Sequence, residues 1–267
     1  MLAFANAKIN IGLNITAKRA DGYHDIETVF YPIKINDVVE ITDSDVLHCV
    51  VKGIQFYGEM EQNLCYKAFQ LLQQKFDFEN QQITLLKNIP VGAGLGGGSS
   101  DAAHVIKLLN DKFKLGLSFA KMEDYARTLG ADCAFFIQNK PVFARGKGDE
   151  FENINLDLSA YHITLITPPI SISTAEAYAQ VLPKTVNTPL PDLLKLPVAE
   201  WKAVVHNDFE DSINIKYPAI KRLIADLYQA GALYAALSGS GSSVYGIFNE
   251  DIRLPELEGH NQVYYNV

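Results

Sequence analysis

The sequence predicts a mixed protein of strands and helices, α+β or α/β in class, in one large domain or two smaller ones. Three observations carry this. The chain has 267 residues, which is long for a single compact core. Stretches of alternating apolar residues and stretches of helical spacing occur in both halves. Hydrophobic residues make up 48% and charged residues 20%, the balance of a globular enzyme rather than of a disordered chain.

The elements follow in order. Residues 7–15 alternate, with Lys8, Asn10, Gly12 and Asn14 on one face and Ile9, Ile11, Leu13 and Ile15 on the other, which predicts a strand. Residues 18–25 carry Asp-Gly and predict a turn, and 27–35 and 38–41 predict two further strands. Helical spacing predicts a helix over 64–76, and 82–86 reads as a strand. A helix is expected over 100–113, with Ala102, Ala103, Ile106, Leu109 and Phe113 on one stripe. Another is expected over 118–129, with Ser118 as its N-cap. A boundary is expected near 153–160, dividing the chain into 1–155 and 156–267. Beyond it, helices are expected near 174–181, 199–205 and 219–230, and strands near 161–167, 235–237, 244–249 and 262–266.

Several function classes are disfavoured by composition. The formal net charge of −8 repels a phosphate backbone, so nucleic acid is not an expected partner. Cys49, Cys65 and Cys133 form no CxxC pair, which suits reduced thiols in the cytoplasm. HExxH is absent, and the histidines show no metal-site spacing. The N-terminal MLAFANAKIN lacks the features of a signal peptide. The uncharged run 230–249 holds a Gly/Ser cluster unsuited to a bilayer, so no membrane span is expected.

The segment PVGAGLGGGSSDAA, residues 90–103, places Gly92, Gly94, Gly96, Gly97 and Gly98 within seven residues directly before a predicted helix. Glycines let backbone N–H groups converge on anionic oxygens, and a helix N-terminus adds uncommitted N–H groups and a positive dipole end. Ser99 and Ser100 can cap the helix or donate hydroxyls. The combination predicts a polyphosphate site. Gly92, Gly94 and Gly97 also satisfy GxGxxG, but the loop lies far from a first strand and leads into successive helices, unlike a dinucleotide fold. GxxxxGK[ST] is absent.

PVGAGLGGGSS resembles the central motif of the GHMP kinases, which phosphorylate galactose, homoserine, mevalonate and related alcohols. AFANAKINIGLNITAKRADGYHDIETVF, LGADCAFFI, ARGKGDEF, HNDFE and LSGSGSSVYGIF resemble, in order, the branch acting on a cytidine diphosphate-linked methylerythritol in non-mevalonate isoprenoid synthesis. The resemblance runs along essentially the whole chain. Asp101 departs from it, standing where other members carry Asn, and Cys133-Ala134 replaces a small residue and Pro.

The resemblance implies an α+β, two-domain GHMP kinase fold with an active site in the interdomain cleft. It implies ATP as phosphoryl donor, Mg²⁺ carried with ATP, and a cytoplasmic enzyme acting as a monomer or weak homodimer. Asp132, at a helix-to-strand transition, is expected to accept the acceptor's proton or to orient its hydroxyl. Lys8, on a half-buried strand, needs an anionic partner, and Asp132 with the acceptor hydroxyl would supply one. Asn10 shares its face and is expected to touch the acceptor. The resemblance further implies that Tyr23 and His24 engage cytosine and that Tyr178 is a second stacking face. Ser238 and Gly239, in a second Gly/Ser turn, are expected to approach substrate or phosphate. Pro90, with Asn63 and Lys87, is expected beside the nucleotide.

Overall fold

The computed structural model describes residues 1–54, 59–179 and 181–267. The chain divides into two compact units that interleave in sequence. One comprises Met1–Lys8, Lys34–Val91 and Gly96–Lys140; the other comprises Ile9–Ile33, Gly92–Leu95 and Pro141–Val267. Two long strands, β1 (Leu2–Lys18) and β2 (His24–Asp43), contribute residues to each.

In the first unit, the C-terminal part of β2 pairs antiparallel with β4 (Gln81–Lys87), from Val38 opposite Leu86 to Asp43 opposite Gln81. β3 (His48–Gly53) runs parallel to β4. Helix α1 (Leu64–Phe76) packs on α2 (Gly97–Phe113), and α3 (Phe119–Leu129) joins them. Their fully buried residues include Phe69, Leu72, Val105, Ile106 and Leu109. Asn63 caps α1 by accepting the Cys65 N–H at 2.8 Å, and Ser118 caps α3 by accepting that of Lys121.

Three sequence expectations change here. The two strands expected over 27–41 are one continuous strand. Asn36 and Asp37, between the two expected strands, do not interrupt it, because Asp37 finds partners inside the unit. Helix α2 begins at Gly97, three residues earlier than its apolar stripe suggested. Gly96 turns the chain into it with φ 71°, a left-handed conformation that glycine adopts without a Cβ clash. Asp132 lies in a single 3₁₀ turn, Ala131–Cys133, followed by the short helix α4 (Phe135–Gln138) rather than by a strand.

In the second unit, the N-terminal part of β2 pairs with β5 (Val142–Arg145), which pairs with β6 (Glu150–Asn153). β7 (His162–Thr167) is followed by the short helices α5 (Thr174–Ala179), α6 (Leu190–Leu193) and α7 (Trp201–Val204). Then come α8 (Phe209–Lys216), α9 (Pro218–Gln229), β8 (Tyr234–Leu237), β9 (Val244–Phe248), α10 (Pro255–Glu258) and β10 (Gln262–Tyr264). The antiparallel sheet β10-β7-β9-β8 carries α9 against β8 and β9. Ile220, Leu223, Ile224 and Leu227 recur at helical spacing and share one apolar cluster with Ile166, Leu237, Val244 and Phe248. β8 and β9 form a hairpin closed at Leu237 and Val244, with residues 238–243 as its loop. Helices packed on largely antiparallel strands make the class α+β. Among the described residues, no helix is long and apolar enough to cross a membrane.

Candidate active site

In the first unit, the start of α2 gathers half of the expected nucleotide residues, Gly96 to Ser100. The first intrahelical bond runs from Ser100 N–H to Gly96 O at 2.9 Å. The N–H groups of Gly97, Gly98 and Ser99 precede it and point out of the helix end. Gly98 is exposed, and a Cβ built there would meet nothing within 4 Å, so an anion can approach the backbone. Gly97 is packed on Ile89, 3.0 Å from its Cβ position, so close packing rather than positive φ demands glycine there. Ser100 is fully buried, and its carbonyl lies 2.8 Å from His104 Nδ1.

Lys8 and Asp132 meet beside this helix end. Lys8 Nζ lies 3.5 Å from Asp132 Oδ2; the lysine is buried, whereas the Asp132 side chain is 33% exposed. Burial lowers the Lys8 pKa, and the Asp132 charge opposes that shift. The Lys8 Cε lies 3.2 Å from the Cβ position of Gly96. Burial pushes the Cys133 thiol, next to Asp132, up to about 12, with the Ser99 side chain opposing. The turn carrying Asp132 packs against α2. A carboxylate able to take a proton, an ammonium and a ring of backbone donors thus converge within one unit.

Pro90 is buried ahead of the loop. Lys87 is also buried, its ammonium held by Asp37 and by Asp101 at 2.5 Å. Asn63 uses its side chain as the α1 cap.

The second unit holds the remaining candidates. Asn10 is buried; its amide donates to Thr28 Oγ1 at 3.0 Å, and its carbonyl accepts from the Tyr245 hydroxyl at 2.8 Å. Its Oδ1 lies 3.1 Å from the Cβ position of Gly239. Ser238 Oγ donates to Gly94 O at 3.0 Å, and a Cβ on Gly94 would fall 2.0 Å from Ser238 O. Only glycine permits that approach. Gly92 is exposed with φ 69°. The two Gly/Ser turns and Asn10 therefore form one bonded group.

Tyr23 is 61% exposed, with Lys147 Nζ 5.0 Å from its ring centroid. His24 stacks on Tyr178, centroids 4.7 Å apart and planes 21° from parallel, and Tyr178 meets Phe209 edge-on. Tyr178 thus lends its face to His24, which fixes the imidazole plane beside the exposed Tyr23.

Sequence reasoning assigned no role to Asn207, which donates to Leu237 O at 2.9 Å and Gly239 O at 2.8 Å and so holds the second turn. Its signal was the HNDFE block. Thr28, Lys147 and Asp37 were also unassigned; each acts through a contact distant in sequence, and no local pattern marks it.

Residues 63–140 match the family described as GHMP kinases N terminal domain, and residues 191–258 match GHMP kinases C terminal. A protein from Bacteroides fragilis named 4-diphosphocytidyl-2-C-methyl-D-erythritol kinase is 50% identical over 264 residues, covering 97% of this chain and 96% of that protein. One of the same name from Cytophaga hutchinsonii is 52% identical over 250 residues, 93% of each. A crystal structure of 4-(cytidine 5'-diphospho)-2C-methyl-D-erythritol kinase superposes with a TM-score of 0.83 at 28% identity, covering 99% of this chain and 98% of that one. The Methanococcus jannaschii mevalonate kinase superposes with a TM-score of 0.72 at 13% identity over 99% and 97% of the two chains, a likeness of fold.

Proposed function

Because the chain belongs to the 4-diphosphocytidyl-2-C-methyl-D-erythritol kinases, a branch of the GHMP kinases, we propose that it phosphorylates the 2-hydroxyl of 4-diphosphocytidyl-2-C-methyl-D-erythritol with ATP, a step of non-mevalonate isoprenoid synthesis. The observation that carries the chemistry is the Lys8–Asp132 pair packed against Gly96 at the start of α2.

The acceptor oxygen forms a bond to the γ-phosphorus while the bond from that phosphorus to the β-bridging oxygen breaks, releasing ADP. Asp132 takes the hydroxyl proton, and its partial exposure lets it return that proton to water. Lys8 holds Asp132 in place and offsets the charge that develops on the transferred group. The N–H groups of Gly97, Gly98 and Ser99 bind phosphate oxygens. Mg²⁺ carried with ATP would be held mainly by the nucleotide's phosphates and would neutralise polyphosphate charge.

The test is to incubate the protein with Mg-ATP and a panel of acceptors, following ADP release and the phosphorylated product. Turnover should be efficient only with the cytidine-linked acceptor. Equal efficiency on a small alcohol without cytidine would overturn the substrate while leaving a kinase.

Tyr23 supplies the exposed aromatic face for cytosine, and His24, steadied by Tyr178, supplies a ring nitrogen to its polar edge. Base stacking of this kind is worth ~1–3 kcal/mol. Tyr23→Ala and His24→Ala should each raise the KM for the acceptor by roughly tenfold or more, at ~1.4 kcal/mol per decade. The KM for ATP should hold. Steady-state kinetics with each substrate varied in turn decide it, and an unchanged acceptor KM removes these residues from the cytosine site.

A further inference from the structure

We propose that the buried cluster of Asp37, Lys87 and Asp101 is a proton-linked clasp on the phosphate cradle, so that ATP binding and protonation of Asp101 favour each other. The inference rests on the reading of the α2 start as the ATP phosphate site.

The geometry places the cluster directly behind that site. Asp37 on β2 is fully buried, Lys87 ends β4, and Asp101 lies in the second turn of α2. Lys87 Nζ donates to Asp101 Oδ2 at 2.5 Å and also to Asp37 Oδ2. Asp37 Oδ1 accepts the N–H groups of Asn88 at 2.6 Å and Ile89 at 2.8 Å, which fixes the approach to the glycine loop. The Cβ position of Gly97 lies 3.0 Å from Ile89 and 3.5 Å from Asp37 Oδ2. The clasp therefore ties two strands to the N-terminal turns of α2.

Its charges do not balance when all three groups are ionised: two carboxylates face one ammonium in a site closed to water. Asp101 Oδ1 is buried and has no hydrogen-bond partner, an arrangement costly for a carboxylate oxygen. A proton on Asp101 brings the cluster to neutrality. The surroundings agree. Burial pushes the Asp101 carboxyl up to about 7, with the Lys87 charge opposing and Asp37 reinforcing the shift. Burial works against the Lys87 charge, but Asp101 and Asp37 more than offset it, and the lysine stays charged.

Of the other titratable groups around Asp101, the two thiols and His104 supply no charge near neutral pH. From β3, the Cys49 thiol is pushed up by burial to about 11. From α1, Cys65 is raised well above the thiol range. On α2 itself, burial lowers His104 to about 4; it lowers Lys107 only to about 8, so that ammonium is still mostly charged at neutral pH, and its titration is common to the wild type and to any variant at Asp101.

The coupling follows from the helix end. Its positive potential stabilises a negative charge at Asp101 when the cradle is empty and the phosphates of ATP when it is filled. The two negative charges compete, so bound ATP raises the proton affinity of Asp101, and by reciprocity a proton on Asp101 raises affinity for ATP. The folded carboxyl holds its proton more tightly than an unfolded Asp does, at ~3.9. Its contribution to stability is present below the unfolded value and is lost as pH rises through about 7.

Asp101→Asn keeps the shape and cannot ionise. Equilibrium titration of Mg-ATP from pH 6 to 8.5, on the wild type and on this variant in parallel, subtracts the titration of ATP itself. Wild-type affinity should weaken with pH by roughly threefold or more relative to the variant. Without nucleotide, the wild-type Tm should fall relative to the variant over the same interval. Parallel pH courses in either measurement overturn the proposal. If neither protein binds Mg-ATP, the nucleotide reading and the coupling both fall, while the Tm comparison still shows whether the cluster titrates. If the variant does not fold, carboxyl ¹³C shifts of the wild type decide the matter. A titration midpoint raised by a non-hydrolysable ATP analogue supports the coupling, and an unmoved midpoint overturns it.

Discussion

Replacing Asp132 with Asn is expected to lower kcat by about 10²-fold or more while Mg-ATP still binds. Asn has nearly the same volume and stays on the same 3₁₀ turn, which the Cys133 N–H to Gly130 O bond at 3.1 Å holds independently of the side chain. The backbone donors at the start of α2 are untouched, so the phosphate cradle survives. What is lost is a group able to take the acceptor proton and the anion that faces Lys8 at 3.5 Å. The measurement is single-turnover phosphoryl transfer beside an equilibrium Kd for Mg-ATP. A rate within a few fold of wild type, at unchanged Kd, would remove Asp132 from the chemistry.

Lys8→Met should likewise reduce kcat by on the order of 10²-fold, through loss of the charge beside the transferred group. Met preserves the packing of the side-chain stem against Gly96. It also removes an ammonium whose pKa burial has lowered. The folded state holds that proton less tightly than the unfolded chain, so wild-type stability rises with pH through the folded pKa. The variant should lack that rise, and at neutral pH it should be no less stable than the wild type. Thermal unfolding across alkaline pH, set beside kcat, separates the two roles. A large fall in Tm with turnover intact would make Lys8 a structural residue.

Much of the fold was legible because local physics writes it. The spacing of Leu64, Ala68, Leu71 and Leu72 marked α1, and its observed bounds, Leu64–Phe76, coincide with those expected. Ser118 announced α3 as its cap. The β8–β9 hairpin followed from two apolar runs around a Gly/Ser turn. The α8 helix was missed: its first turn holds Glu210 and Asp211, and its apolar anchors, Phe209 and Ile213, are too few to show a periodic stripe.

The sequence by itself determined that five glycines open onto an amphipathic helix, that the composition is that of a globular enzyme, and that its blocks are those of a GHMP kinase. These are properties of neighbouring residues or of their order, and they persist without a fold. Only the tertiary structure decided what depends on chain return. It brought Asp132 to Lys8 across 124 positions and buried the lysine beside Gly96 while leaving the carboxylate partly exposed. It moved the start of α2 to Gly97, because Gly96 turns the chain and the glycines pack closely on Ile89 and Lys8, overriding their poor helix propensity. It drew Lys87 into two buried carboxylates, and it stacked Tyr178 on His24. Burial and charge pairing arise between segments far apart in the chain. A residue such as Asp101 has its protonation set by which ammonium and which second carboxylate reach it in the fold, and nothing adjacent to it in sequence names either one.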